Sequence, residues 1–284
     1  MKLETKVQQT LKKIFRRSAY PQLQNKGVKN EKILVALSGG KDSTVTAYLL
    51  KKLGYNIEGF HINLGMGNYS EKCFGAVKKL CDELKIKLHI YDIKKEMGSS
   101  MCYLRTAIQS NQKKGQIKNC AICGVIKKWI LNKEGRKFKV DKIATGHNLD
   151  DEAQTYLLNV LKGNLKLSLG SGPITKNVSD KKFIPRIKPL FYVAEENIRK
   201  FSLKNNLPVH YEKCPCATDS YRIQIRKFMN ELSTKEKENL VKNSEEILKK
   251  IKRDSGEIKY CEICEEPSRN RVCRKCELIS GIKR

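Results

Sequence analysis

One short stretch near the N-terminus constrains the fold more than any other part of the chain. The apolar run Ile33–Leu37 is followed by Ser-Gly-Gly-Lys-Asp-Ser at residues 38–43 and then by a helical pattern over 44–53. A short, continuous apolar run is typical of a buried parallel strand. Glycines after it let backbone amides approach an anion, and a helix start adds unpaired amides and a positive dipole end. The stretch therefore predicts a strand, a phosphate-binding turn and a helix.

The charges in this turn narrow the choice of ligand. Lys41 supplies a cation, whereas the carboxylate of Asp42 would repel a phosphate unless a divalent cation lay between them. We therefore expect a nucleotide–Mg²⁺ complex rather than free phosphate. The spacing is not that of a P-loop, which requires Gly-x-x-x-x-Gly-Lys followed by Ser or Thr.

The charge balance of the whole chain favours a polyanionic partner. Its 284 residues include 58 Lys and Arg against 30 Asp and Glu, a formal net charge of +28. Such a field attracts polyanions, so we expect RNA or DNA to bind. No apolar stretch reaches the roughly 20 residues that a bilayer requires, and residues 1–20 lack a signal-peptide core, so we expect a cytoplasmic protein without membrane contact. Eleven cysteines in that compartment favour metal or redox chemistry over disulfides.

Strand-like runs alternate with helical patterns from Lys32 to about Val209. The patterns predict strands over 32–37, 56–62, 87–91, 140–145 and 208–211, and helices over 44–53, 71–85, 99–112, 121–134, 150–162 and 194–206. This alternation predicts an α/β fold with a parallel twisted sheet and helices on both faces, which binds ligands beyond the carboxyl ends of its strands. The stretch 163–189 has little periodicity and predicts a loop. Further helices are predicted over 3–17, 219–232 and 234–253.

A second polar motif follows the predicted strand 140–145. It reads Ala-Thr-Gly-His-Asn-Leu-Asp-Asp-Glu-Ala over residues 144–153 and opens a helix. Acidic residues cap helix starts, but capping alone does not require two adjacent Asp after Gly-His-Asn. Together with the turn 38–43 and with Pro-Arg-Ile-Lys-Pro-Leu at 185–190, the motif resembles PP-loop ATP pyrophosphatases that thiolate tRNA. The resemblance covers about residues 30–230.

This resemblance implies an ATP site and assigns residues to it. Members of the family split ATP between its α- and β-phosphates and adenylate their substrate. The resemblance implies that Asp42 and Asp151 lie near the phosphates and are needed for activity, with Mg²⁺ between them and ATP. The ATP-binding residues expected are Ala36, Ser38, Gly39, Gly40, Lys41, Asp42, Ser43, His61, Lys127, Gly146 and Asp151. For His61, at the end of the second predicted strand, a buried core histidine is the alternative.

The cysteine spacing indicates a first metal site. Cys120 and Cys123 form a C-x-x-C at a helix start, which alone fits a redox dithiol or half of a zinc site. The tRNA thiolases resembled here add a distant Cys followed by Pro, which is Cys214 in this chain. In that family the three thiolates hold a 4Fe-4S cluster and leave one iron open for hydrosulfide. Cys216 departs from the commoner pattern and raises the alternative of a fourth ligand.

A second metal site is predicted near the C-terminus. Two C-x-x-C pairs suit tetrahedral Zn²⁺ and would form a small zinc-ribbon-like module, comprising Cys261, Cys264, Cys273 and Cys276. Metal binding would supply the folding energy of so short a segment. Relatives in the uridine branch often carry another zinc module at the N-terminus, but residues 1–24 contain no cysteine, so we expect none there. The 2-thiocytidine branch generally lacks the C-terminal module, which favours uridine.

Other cysteines receive no functional role from the sequence. Cys73 and Cys81 fall on one helical stripe and are expected in the core. Cys102, His89 and His210 are likewise left without a role.

The expected function is ATP-dependent 2-thiouridine synthesis in tRNA, with Asp42, Asp151, Cys120, Cys123 and Cys214 as the catalytic set. The expected cofactors are ATP, Mg²⁺, a 4Fe-4S cluster and Zn²⁺. The expected partners are tRNA, a second copy in a homodimer, and a sulfur donor, which is sulfide, a persulfide carrier or a ubiquitin-like thiocarboxylate protein. Candidates for contacts with tRNA phosphates are Arg186, Lys188, Arg222 and Arg226.

Several other functions stay open at this point. They are a tRNA 2-thiocytidine synthetase, a cluster-free persulfide thiolase, a PP-loop ligase that joins an amine to a tRNA base, and an RNA-binding subunit with structural zinc. The expected division of the chain is a basic helix and linker at 1–30, a PP-loop domain at 31–212, a helical segment at 213–255 and the four-cysteine module at 256–284.

Overall fold

A parallel sheet of five strands forms the centre of the molecule, in the order β3-β2-β1-β4-β5. The computed structural model describes residues 2–16, 31–111, 117–175, 180–217, 222–251 and 258–280. The strands are β1 (Lys32–Leu37), β2 (Asn56–Asn63), β3 (Leu88–Asp92), β4 (Lys142–Ala144) and β5 (Arg186–Ile187). Every neighbouring pair is parallel. The carboxyl ends of β1 and β4 therefore lie side by side, so the loops that follow them share one edge of the sheet.

Helices cover both faces of this sheet, as the sequence predicted. In chain order they are α1 (Leu3–Arg16), α2 (Lys41–Lys52), α3 (Asn68–Leu84), α4 (Ile93–Met97), α5 (Met101–Ser110), α6 (Asn119–Lys137), α7 (Leu149–Leu161), α8 (Glu195–Lys204), α9 (Arg222–Glu231), α10 (Thr234–Lys250) and α11 (Arg274–Ser280). A 3-10 helix spans Leu165–Gly170. None of the described helices combines the length and the apolar character needed to cross a bilayer.

The apolar run of β1 is continuous because the strand is buried on both faces. Ile33 and Val35 join one core cluster with residues of α1, α2, α3 and α8. Leu34 joins a different cluster with residues of α5 and α6. All three side chains are fully buried. The apolar residues of β1 therefore pack on both faces of the sheet.

The N-terminal helix belongs to the first of these cores. Val7, Leu11 and Ile14 lie one turn apart on one face of α1, and all are buried against the sheet side that carries α2. Lys6 of the same helix pairs with Glu238 of α10 at 2.9 Å. Helix α1 therefore ties the sheet to the C-terminal helices.

Helices α7, α9 and α10 share a third, smaller core. Leu149 and Ala153 of α7 pack with Ile225 and Met229 of α9 and with Val241 of α10. Phe191, from the segment between β5 and α8, fills the same core. The helix that begins at the second polar motif is therefore held from its outer side by α9 and α10.

The C-terminal module consists of a short antiparallel hairpin, β6 (Lys259–Tyr260) and β7 (Pro267–Ser268), followed by α11. Leu278 of α11 is buried in the core formed by α5 and α6. Arg136 of α6 forms an ion pair with Glu266 of the module. The module is therefore docked on α6 by both apolar and charged contacts.

The predicted last strand was wrong. Residues 208–211 are not in a strand, and the backbone there makes a hydrogen bond from His210 N to Gly39 O of 2.8 Å. The fifth strand is β5, inside the stretch 163–189 that the sequence predicted as a loop. It pairs with β4 through Thr145 N to Ile187 O at 3.0 Å. A strand of two residues carries no periodicity, which is why the pattern missed it.

The helices that the sequence predicted are found to within a few residues, whereas α4 and α11 were not predicted. Helix α2 begins at Lys41, earlier than the predicted residue 44, because Gly40 already takes the N-cap position. Parts of the predictions fall on residues 17–30, 112, 176–179, 218–221, 252–257 and 281–284, which lie outside the described residues.

We predict that the stability of the sheet depends on a buried ion pair between Lys142 of β4 and Glu31. Their side chains are 1% and 3% exposed. Lys142→Met leaves the Glu31 carboxylate buried without its partner, so the free energy of unfolding should fall by about 3–5 kcal/mol. Urea denaturation followed by circular dichroism measures the change.

The matched control is the exposed pair of Lys200 and Glu196 on α8, whose side chains are 71% and 67% exposed. Lys200→Met should change the free energy of unfolding by less than about 1 kcal/mol. Equal losses of unfolding free energy in the two variants would show that the buried pair contributes no more to stability than the exposed pair.

Candidate active site

The loop after β1 forms the anion-binding turn that the sequence predicted. Gly39 has a φ of +84°, a conformation that favours glycine, and a Cβ there would lie 2.7 Å from the carbonyl oxygen of Cys73. The amide of Ser38 donates to Ser43 Oγ at 3.1 Å, and Ser43 Oγ donates to the Gly40 carbonyl at 3.0 Å. No described side chain caps α2, so the first amides of the helix keep donors available for an anion.

The loop after β4 packs directly on this turn. A Cβ on Gly146 would lie 2.7 Å from the backbone carbon of Asp42 and from the Ser43 amide nitrogen. Asn148 donates from Nδ2 to Asp42 Oδ1 at 3.0 Å and also caps α7 by accepting from the Asp151 amide. The structure therefore brings together the two polar motifs, with Asp42 in one and Asp151 in the other.

A chain of alternating charges runs across these loops. Lys41 Nζ lies 3.0 Å from Asp42 Oδ2 and 2.7 Å from Glu195 Oε1, and Arg226 Nη2 lies 2.7 Å from the same Glu195 oxygen. Burial alone would lower the pKa of Lys41, but the two carboxylates outweigh it and raise that pKa. Burial alone would raise the pKa of Glu195, but hydrogen bonds from Lys41 and Arg226 lower it. Both partners therefore stay ionised at neutral pH.

The two adjacent aspartates of the second motif have different surroundings. Asp150 accepts from the Glu195 amide at 2.7 Å and pairs with Lys237 of α10 at 2.8 Å, so it joins three helices. Asp151 is the third residue of α7 and completes its capping box with Asn148. The charge of Asp151, with that of Asp42, helps to raise the pKa of Arg226, after hydrogen bonding to Glu195 offsets the effect of burial. Asp151 thus shares its electrostatic environment with Asp42.

A cleft of about 150 Å³ opens beside the turn. Five of the predicted site residues line it, namely Ala36, Ser38, His61, Lys127 and Cys214. Phe60, Ile62, Leu64 and Leu131 give it apolar walls. A cleft with apolar walls and a few convergent polar groups is typical of small-molecule sites.

His61 presents a hydrogen-bond acceptor in this cleft. Its Nδ1 lies 2.9 Å from the Leu37 carbonyl and must donate to it. Burial, outweighing that hydrogen bond and reinforced by the charge of Lys127, lowers the pKa of His61. The neutral ring therefore keeps a lone pair on Nε2, which is buried and has no hydrogen-bond partner among the described residues.

Two of the three cysteines of the predicted cluster site lie on α6, and the third, Cys214, lies in the segment after α8. Cys120 and Cys123 are in the first turns of α6, and Lys127, one turn after Cys123, faces the cleft that Cys214 also lines. Their sulfur atoms do not form a group compact enough for a single ion within the described part of the chain. A cluster of several irons spreads its ligands, because each thiolate binds a different iron.

The four C-terminal cysteines do form a compact group. Their sulfur atoms all lie within 4.8 Å of one another, in Cys261, Cys264, Cys273 and Cys276. Burial disfavours the thiolate of Cys261, but backbone amides, first that of Cys273, donate to its sulfur and lower its pKa to about 6. Four converging thiols suit a tetrahedral ion such as Zn²⁺.

The remaining cysteines separate into two kinds. Cys81 lies in the core as predicted, where burial raises its pKa to about 11. Cys73 is buried as well, although it also lines the cleft. Cys216 accepts a hydrogen bond of 2.7 Å from Arg105 Nη2, and its sulfur lies 3.8 Å from that of Cys102.

Three of the basic residues predicted to contact RNA make contacts within the protein. Arg186 donates from Nη2 to the Lys128 carbonyl at 3.1 Å, Lys188 pairs with Glu152, and Arg226 pairs with Glu195. The side chain of Arg222 lies outside the described residues.

Two residues of the site, Asn148 and Glu195, were not predicted from the sequence. The position of Asn148 directly before a predicted helix was an available signal, since Asn is a preferred N-cap residue. Nothing local marks Glu195, because its contact with Lys41 joins distant parts of the chain.

Comparisons with known proteins identify the family of the chain. A model of the PP-loop domain family matches residues 3–232. The chain is 40% identical over 264 residues to the tRNA-5-methyluridine(54) 2-sulfurtransferase of Pyrococcus horikoshii, covering 90% of this chain and 80% of that protein. It is 31% identical over 264 residues to cytoplasmic tRNA 2-thiolation protein 1 of Caenorhabditis elegans, covering 89% of this chain and 68% of that protein.

A solved structure gives the same result for the fold. The U34-tRNA thiolase NcsA from Methanococcus maripaludis, determined with its 4Fe-4S cluster, is similar with a TM-score of 0.75 and 28% identity. The match covers 98% of this chain and 89% of that chain. The chain therefore belongs to the PP-loop family, in the group whose named members are tRNA 2-sulfurtransferases.

Proposed function

We propose that this protein is an ATP-dependent tRNA 2-thiolase that acts on uridine. The observation that carries the proposal is the cleft, which combines the anion-binding turn at Ser38 with Lys127 and a cysteine, Cys214. Similarity to relatives named as tRNA sulfurtransferases supports the reaction class. Two similar proteins are named for uridine at different positions, 54 and 34, so the proposal specifies the base and not its position.

In the first step, the residues of the turn bind ATP. The amides of Gly39, Gly40 and the start of α2 hold the phosphates, and Lys41 exchanges its carboxylate partners for a phosphate oxygen. Asp42 and Asp151 would hold Mg²⁺, which when bound would supply positive charge beside the α-phosphate. The free lone pair of His61 Nε2 accepts a hydrogen bond from the amino group of adenine.

Adenylation of the C2 oxygen activates the base for substitution. The C2 oxygen of uracil attacks the α-phosphorus, the bond to the β-phosphate oxygen breaks, and pyrophosphate leaves. The oxygen is now part of a good leaving group. A sulfur nucleophile then adds at C2, and AMP departs with the oxygen.

Cys120, Cys123 and Cys214 would hold a 4Fe-4S cluster at the edge of this cleft. When bound, the cluster supplies an iron without a protein ligand, at which sulfur can be held. The position of the Cys216 sulfur, against Arg105 and Cys102, supports a set of three protein ligands rather than four. The four C-terminal cysteines would hold Zn²⁺, which has no open position and serves the fold.

The remaining parts of the proposal concern partners. A net charge of +28 supports binding of tRNA. We also propose a homodimer, which size-exclusion chromatography with light scattering tests directly.

We predict that Asp42→Asn abolishes thiolation without weakening tRNA binding. The amide keeps an oxygen for Asn148 but loses the charge that holds Mg²⁺, so the rate should fall by about 100-fold or more. Thiolated nucleosides are quantified by mass spectrometry after incubation with tRNA and ATP. Asp82→Asn, on the exposed side of α3, is the control and should keep wild-type activity. Substantial thiolation by Asp42→Asn would disprove the role assigned to Asp42.

We predict that the two metal sites can be separated by mutation. Cys214→Ser should remove most of the iron from anaerobically purified protein and leave zinc unchanged, because the C-terminal thiols bind a different ion. Cys216→Ser should retain iron, because its sulfur is turned towards Arg105. Elemental analysis measures both metals. If Cys216→Ser loses iron as completely as Cys214→Ser, the site has four protein ligands and the open-iron proposal is wrong.

We predict that tRNA affinity falls steeply with salt. A protein that contacts about six phosphates loses roughly 1000-fold in affinity between about 50 and about 200 mM salt. Replacing Arg269 and Arg271 of the C-terminal module by Ala should weaken binding and reduce the slope by about 2. Lys79→Ala on α3, a residue with a 69% exposed side chain, is the control. Binding that is insensitive to salt would remove the electrostatic argument.

A further inference from the structure

A pair of thiols outside both metal sites lies close to the proposed active site. Cys102 of α5 and Cys216 come from distant parts of the chain, yet their sulfur atoms are 3.8 Å apart. Both side chains are partly accessible. A covalent S–S bond measures about 2.05 Å, so the two sulfur atoms are in contact but not bonded.

A buried arginine holds the two sulfur atoms side by side. Arg105 is only 6% exposed. Its Nε donates to the Met101 carbonyl at 3.2 Å, and its Nη2 donates to Cys102 Sγ at 3.2 Å and to Cys216 Sγ at 2.7 Å. Sulfur is a weak acceptor, so neutral thiols are unusual partners for a buried guanidinium. Among the residues that the structure describes, this side chain donates hydrogen bonds only to that carbonyl and to the two sulfur atoms.

The pair is placed where sulfur would be delivered. Cys216 follows Cys214 by two residues, and Cys214 lines the cleft with Lys127. The Cys102–Cys216 pair is therefore next to the proposed cluster site without belonging to it.

We propose that Cys102 and Cys216 form a sulfur-accepting dithiol, which takes the sulfane sulfur of a persulfide donor and releases it as hydrosulfide beside the cleft. This inference rests on the proposed thiolase function and names the chemical class of its sulfur donor.

The chemistry balances in two exchanges. Cys216 first attacks the outer sulfur of the donor persulfide, so a new S–S bond forms on Cys216, the S–S bond of the donor breaks, and the donor leaves as a thiol with the proton. Cys102 then attacks Cys216 Sγ, the Cys102–Cys216 disulfide forms, and the outer sulfur leaves as hydrosulfide. The two thiols have lost two electrons and the sulfane sulfur has gained them. A dithiol reductant restores the pair.

The need for these electrons is what favours a persulfide. The outer sulfur of a persulfide is more oxidised than sulfide by two electrons, and a pair of thiols supplies that number. Free sulfide and a thiocarboxylate already carry sulfur at the level of sulfide, so neither would need the pair.

The test uses the full-length protein, purified anaerobically, and glutathione persulfide that carries a heavy sulfur isotope in its outer position. Without added reductant, the wild-type protein should release labelled sulfide, and peptide mass spectrometry should find a Cys102–Cys216 disulfide. Cys102→Ser should retain labelled sulfur on Cys216, and its sulfide release should fall to background. Cys81→Ser, which removes a buried core cysteine, is the control and should behave as the wild type. Wild-type sulfide release by Cys102→Ser, or a disulfide at other cysteines, would overturn the inference.

A second readout separates this inference from the proposed function. Thiolation of tRNA is measured with the persulfide and with inorganic sulfide as donors, and the ratio of the two rates is compared between wild type and Cys102→Ser. The rate with persulfide divided by the rate with sulfide should fall in the variant, because sulfide does not need the thiol pair. An unchanged ratio contradicts the inference alone. Absence of thiolation by the wild type with either donor contradicts the proposed function, while the sulfide-release assay still decides whether the pair accepts sulfur.

Discussion

Gly146 lies against the backbone of Asp42 and Ser43, and the arrangement of the site depends on that contact. It arises because β1 and β4 are neighbours in the sheet, so their loops meet at one edge. With no Cβ at residue 146, the second loop comes close enough for Asn148 to reach Asp42. The same Asn148 fixes the start of α7, so one contact sets both the position of the turn and the direction of the helix that carries Asp151.

The parts of the site that the sequence predicted are those encoded within a few residues. The β1 strand with its glycine turn and the four C-terminal cysteines are local patterns, and the structure has both. The contact of Lys41 with Glu195 and that of Arg105 with Cys216 join residues far apart in the chain. Only the packing of α8 and α5 creates them, so no spacing in the sequence records them. For the same reason β5 was missed, because its two residues form a strand only by pairing with β4.

Acidic residues are concentrated at internal contacts in this basic protein. Glu31, Asp150 and Glu152 are each less than a tenth exposed, and each is paired with a lysine. Every such pair removes one acid and one base from the surface. Since the chain has 58 basic and only 30 acidic residues, the ratio of bases to acids on the remaining surface rises. The ion pairs inside the protein therefore leave a more basic surface, and such a surface attracts polyanions.

Helix α6 carries Cys120 and Cys123 in its first turns, while Trp129 and Arg136 further along it contact the four-cysteine module. Under the proposed function, an ion held by the module would therefore also brace the helix that presents the other two thiols. Loss of that ion would disturb the position of α6 and would so misalign Cys120 and Cys123 at the start of this helix. The proposed zinc and cluster sites would therefore be coupled through one helix, so that order in the four-cysteine module contributes to the alignment of Cys120 and Cys123.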